Sequence, residues 1–141
     1  MADPEERPPF EILEHTADIG LRARGKTLQE LFENAAVGMV EILGVAARDG
    51  SQHVDFVVDA DDRAALLVRF LDELIYLVDA RGARIAGITT TFESPTRMRA
   101  GVTWTPSEEP VEGTELKAAT FHQLTLEERG DGYEGTVFFD V

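Results

Sequence analysis

Two stretches of helical periodicity, each with its own start and stop signals, constrain this chain more than any other feature. In the first, Leu28, Leu31, Phe32, Ala35, Ala36, Met39, Val40 and Leu43 follow the spacing of one helical face. Thr27 precedes it and Glu30 follows three residues on, the pattern of a capping box. Gly44 stands where a left-handed C-terminal residue is favoured. In the second, Leu66, Leu67, Phe70, Leu71, Leu74, Ile75 and Val78 share a face, Asp61 or Asp62 offers the cap, and Gly82 offers the stop. Glu33, Asp72 and Glu73 fall off these apolar stripes and are expected to face solvent. A helix with one apolar face must bury it against another layer. The rest of the chain has to supply that layer.

It does so in alternating segments. Phe10 to Glu14 reads as a short strand, and Ile19, Leu21 and Ala23 as a second after the interruption His15-Thr16-Ala17-Asp18. Val54, Phe56 and Val58 alternate in a strand ending at Asp59. After the second helix come Ile85 to Phe92, with the alternation slipping near Ala86-Gly87, and then Met98 to Trp104. Leu116 to Leu126 reads as one longer strand with a bulge near Phe121-His122, where its apolar parity changes. Gly130-Asp131-Gly132 turns the chain into a last strand through Tyr133, Val137, Phe139 and Val141. Two strands, helix, strand, helix, four strands is an α+β order, with two helices packed on a largely antiparallel β-sheet in a single domain. Residues 1–9, with three prolines and four charged side chains, are expected to be a disordered N-terminal lead-in to a domain spanning 10–141.

Composition narrows the function. The 141 residues carry 13 basic and 27 acidic side chains, a net charge of −14. Such a surface repels phosphate backbones, so direct tight nucleic-acid binding is not expected. There is no cysteine, which removes disulfides, zinc–thiolate sites and thiol catalysis. No apolar run reaches the roughly 18–20 residues of a membrane span. The N-terminus has no signal-peptide layout, so a cytoplasmic location is expected. Neither a P-loop nor a dinucleotide-binding glycine pattern is present.

Three places can carry chemistry. His15-Thr16-Ala17-Asp18 sets a carboxylate in a loop between strands, though Thr16 and Asp18 can equally serve turn amides. At the C-terminus, Asp140 and the Val141 α-carboxylate bring oxygen donors within one residue of each other. Hard divalent cations such as Ca²⁺, Mg²⁺ and Mn²⁺ take such ligands, and a solvated Asp140 is the plain alternative. Lys117 is one of only two lysines against eleven arginines, which suggests a position requiring a compact ammonium rather than a fork. His122 is a further titratable candidate.

Taken together, these segments resemble the archease family. The resemblance is carried by the run from Phe10 to Leu21 with its His15-Thr16-Ala17-Asp18 motif, and by the helical segments Thr27 to Ala36 and Leu67 to Leu77. Lys117-Ala118-Ala119-Thr120-Phe121-His122 and the ending Gly135 to Val141 complete it. It implies a small α+β protein, not itself an enzyme, that activates an RtcB-type RNA ligase in tRNA splicing or RNA repair. The ligase forms a covalent guanylate on a histidine using GTP and metal, and the family speeds that step and permits multiple turnover. The resemblance assigns a divalent-metal site to Asp18 and Asp140 and a functional lysine to Lys117; the Val141 carboxylate, read from its place beside Asp140, is a candidate third donor. Family members often place a histidine in a G-x-x-H stretch before that lysine, whereas this chain has Gly113-Thr114-Glu115-Leu116. Two other classes remain open on the residues: a metal-dependent phosphoester hydrolase using Asp18 and Asp140, and a chaperone or adaptor whose carboxylates are structural.

Overall fold

Both helices start and stop on the residues their sequence signals mark. In a computed structural model describing residues 8–14 and 18–141, the order is β1 (Phe10–Glu14), β2 (Ile19–Gly25), α1 (Leu28–Leu43), β3 (Gln52–Asp59), α2 (Arg63–Arg81), β4 (Ala83–Ser94), β5 (Arg97–Pro106), β6 (Ala118–Ala119), β7 (Thr125–Arg129) and β8 (Gly132–Asp140). Thr27 Oγ1 accepts from the Glu30 amide at 3.1 Å, and Asp62 Oδ1 from the Ala65 amide at 2.8 Å. The Glu30 carboxylate reaches one residue past the usual capping-box partner and accepts from the Lys26 amide. Gly44 and Gly82 close the helices at φ 67° and 63°.

The strands form two antiparallel sheets, not one. The first runs β1-β2-β8-β6, with β7 also pairing with β8; the second runs β3-β5-β4. Alternation in a sequence reports which face a strand buries, not which strand it pairs with, so the split is decided by the fold. The helices touch both sheets, and their apolar faces join one core. At its centre Phe32 of α1 lies 5.7 Å from Phe70 of α2 and meets Phe92 of β4 edge-on at 4.9 Å. The slip expected near Ala86-Gly87 is a register shift between Ile85 and Gly87.

Three expectations are corrected. Leu116 to Leu126 is not one strand. Leu116 is fully buried in the core, β6 has only two residues, and the chain loops through Gln123 at φ 52° before β7. Both short strands pair with β8, β6 at Phe139–Asp140 and β7 at Gly132–Thr136. The parity change is that loop. Glu33 does not face solvent: its carboxylate accepts from the Thr90 amide at 2.9 Å and hydroxyl at 2.8 Å. Asp72 also turns inward, as described below. Of the expected lead-in, residues 1–7 lie outside the described residues. Pro8 and Pro9 are tied down, their carbonyls accepting from the Arg24 guanidinium and amide.

Candidate functional site

The site is built on the pairing of β2 with β8. Ile19 faces Phe139, Gly20 faces Phe138 and Leu21 faces Val137. Leu21, Val137 and Phe139 point into the core. Side chains alternate across a strand, so Gly20, Phe138 and Asp140 lie on the opposite face. The register ends with Ile19 opposite Phe139, and Asp18 and Asp140 immediately flank that last pair. The loop aspartate and Asp140, 122 positions apart in sequence, are thus brought to the same end of one strand pair.

Lys117 approaches Asp140 from the other side. Its amide donates to the Asp140 carbonyl at 2.8 Å, while Ala118 is the register partner of Asp140. The bulge expected near Phe121-His122 is instead the loop between β6 and β7. Lys117, Asp140 and Val141 are exposed and Asp18 is half-buried. Among the described residues, none of Asp18, Asp140 and Lys117 takes part in an ion pair. Nor do the described residues contain a group of three or more His, Asp and Glu side chains poised to hold a metal. Asp18 and Asp140 are the carboxylates that this strand end offers to a cation. These are hard oxygen ligands, which fit Ca²⁺, Mg²⁺ or Mn²⁺ in chemistry.

The floor beside this end is aromatic. Phe138 is only 6% exposed yet stands apart from the main core cluster. Its ring lies over Gly20, where an added Cβ would come within 2.7 Å of it, so only glycine leaves room. His122 is exposed and meets the Phe138 ring edge-on at 6.2 Å. His122 thus shares the platform on which Asp140 sits. His15 lies outside the described residues.

Two residues of this neighbourhood escaped the sequence. Phe138 reads as one more strand aromatic, and nothing local marks its separate pocket. Asp72 reads as a polar-face helix residue. In the fold its Oδ1 accepts from the Ala119 amide of β6 at 2.7 Å. Burial pushes its carboxyl above the ordinary Asp range; the Ala119 bond opposes this and Glu73 adds to it. On the next turns of α2, Asp79 is likewise raised, by burial and then by Glu115. The stretch 115–119 thus runs antiparallel to α2. Leu116, where the resemblance led to the expectation of a histidine, is a core plug. The preceding Gly113 packs so tightly on the C-terminal carbonyls of α1 that its amide donates to Leu43 and no side chain fits.

The arrangement defines a small two-helix, two-sheet α+β protein with two aspartates at one end of a strand pair; no helix among the described residues is long and apolar enough to cross a membrane. Residues 10–141 match the model of the Archease protein family (MTH1598/TM1083), and the chain belongs to that family. It is 35% identical to the protein archease of Methanosarcina acetivorans over 98% of this chain and 99% of that one. To the protein archease of Pyrococcus furiosus it is 35% identical, over 87% and 91%. Among solved structures, it resembles the solution structure of Methanobacterium thermoautotrophicum protein 1598, with a TM-score of 0.71 at 26% identity over 94% and 99%. The crystal structure of an archease, possible chaperone, from Thermotoga maritima shares the fold at a TM-score of 0.66, with 24% identity over 96% and 97%.

Proposed function

We propose that this protein activates an RtcB-type RNA ligase, promoting its guanylylation and multiple turnover, and that Asp18, Asp140 and Lys117 carry the effect. The observation that carries this reading is the β2–β8 register, whose last pair, Ile19 with Phe139, is flanked by Asp18 and Asp140, with the Lys117 amide bonded to the Asp140 carbonyl. Asp18, Asp140 and the Val141 carboxylate would hold a divalent cation, which when bound supplies a concentrated positive charge at the strand end. The carboxylates orient at the end of a paired strand and so keep their positions. The Lys117 ammonium presents a compact charge beside them. A net charge of −14 suits docking on a basic partner and disfavours contact with RNA. With no nucleotide-binding pattern in the chain, guanylate chemistry belongs to the ligase.

The test is a guanylylation assay of the ligase from the same source, with and without substoichiometric protein. The protein is expected to accelerate guanylylation and to show no ligase or phosphoesterase activity alone. Lys117→Ala should fold normally and lose activation, and Lys117→Arg should not fully restore it. A ligase that gains nothing overturns the reading. Phosphoester turnover by the pure protein would favour a hydrolase, and full activation by Asp18→Ala would favour an adaptor.

A further inference from the structure

We infer that Asp72 is a positioning residue for this site: from α2 it holds the two-residue strand β6 in place and thereby sets Lys117 against Asp140. The inference rests on the reading of Lys117 and Asp140 given above. β6 pairs with β8 through only Ala118 and Ala119, so its own ladder is too short to be rigid. It lies at a sheet edge, and the Ala119 amide faces away from β8, where an unmet donor in a buried position would be costly. Asp72 meets that donor at 2.7 Å. On the other side, the Lys117 amide bonds the Asp140 carbonyl, and the Thr120 amide and hydroxyl bond the Phe138 carbonyl, each at 2.8–2.9 Å.

β6 is therefore clamped from both flanks, and Lys117 sits between the Leu116 core anchor and the clamp. The next acid of α2 towards this stretch, Asp79, meets Glu115 as a like charge and gives no attraction. The same device recurs in the other sheet, where Glu33 of α1 meets the Thr90 amide of the edge strand β4. In the second sheet it secures a long strand that β5 already holds. In the first it secures the strand that Lys117 immediately precedes.

The test compares Asp72→Ala, which removes the acceptor, with Asp72→Asn, which keeps an oxygen acceptor without the charge. Amide hydrogen exchange is read by NMR at Lys117, Ala118 and Thr120, with Leu21 and Val137 of the β2–β8 pair as internal references. In Asp72→Ala, exchange at 117–120 should quicken about tenfold relative to the references, the factor expected for a lost hydrogen bond to a charged acceptor. Ligase activation should fall with it. Asp72→Asn should restore both to within about twofold, since the bond is retained in neutral form. If Asp72→Ala does not fold, Ala119→Pro deletes the donor instead and carries the same expectation. Equal quickening at 117–120 and at the references means a merely structural residue and overturns the inference. So does full activation by Asp72→Ala when Lys117→Ala has none. If Lys117→Ala and Asp140→Ala both activate fully, the ligase reading fails, and the exchange pattern alone judges the clamp.

Discussion

The two ends of the β2–β8 pair handle charge in opposite ways. At the end nearer Gly25 and Tyr133, carboxylates and guanidinium groups interlock across three strands. Arg24 pairs with Glu134 at 2.9 Å and with Glu11 at 3.5 Å, and Arg22 pairs with Glu11 at 3.4 Å. The Arg24 and Glu134 side chains are only 18% and 17% exposed. At the other end Asp18 and Asp140 flank the last residue pair, with no cation of the protein paired to either among the described residues. Like charges gathered at one strand end repel. The same two strands thus carry a self-neutralised end, which is structural, and an end whose charge calls for something from outside.

The largest effect should separate the ends by metal. Saturating Ca²⁺ or Mn²⁺ at about 100 times its Kd stabilises a folded protein by about 2.7 kcal/mol, a rise in Tm of about 10 °C for a chain of this size. Asp140→Ala and Asp18→Ala should each lose that rise and ligase activation together, as read by thermal denaturation with and without the ion. An equal rise in Asp140→Ala would remove the distinction between the ends. A tag extending the chain past Val141 should weaken the rise more than an N-terminal tag. Next, Gly20→Ala should cost about 1–3 kcal/mol because its Cβ forces the Phe138 ring out of place. It should also blunt the metal response, which a urea titration with and without metal would detect.

Smaller still is Glu134→Ala, which leaves Arg24 and Arg22 sharing Glu11 alone. A loss of about 1–2 kcal/mol is expected, because the pair is largely but not fully screened from water, with the metal-induced rise in Tm unchanged. A changed metal response there would show that the two ends are coupled. The smallest effect concerns Asp72. Its carboxyl is raised in the fold by burial, so the contribution of this group to stability is greatest below the ordinary Asp range. That contribution is lost as pH rises through the raised folded value, because the ionised form is the one burial disfavours. Asp72→Asn should therefore be as stable as the wild type, or slightly more so, at neutral pH. It should also flatten this part of the pH–stability profile, measured by chemical denaturation from acid to neutral pH. A large loss of stability in Asp72→Asn at neutral pH would mean that the charge itself, rather than the bond, is needed.

Local signals determined the parts of this protein that depend on a few adjacent residues. Thr27, Asp62, Gly44 and Gly82 bound the helices because a cap satisfies backbone groups within one turn of itself. The periodicity of Leu28 to Leu43 marks a buried face for the same reason, and the order of elements sets the α+β class. The motifs around Asp18, Lys117 and Asp140 are readable as a resemblance because they are short and contiguous. Tertiary structure alone decided what depends on partners far along the chain. Asp72 and Ala119 are 47 residues apart, and Glu33 and Thr90 are 57 apart, so a helix carboxylate that meets a strand amide looks in sequence like any solvated acid. Leu116 to Leu126 alternates well enough for one strand, yet a two-residue β6, a loop and β7 satisfy the same pattern against β8. Register, too, lies beyond local sequence: Asp18 comes to the strand end that holds Asp140 because Ile19 pairs with Phe139, and that pairing is set by the burial of Leu21, Val137 and Phe139 in one core.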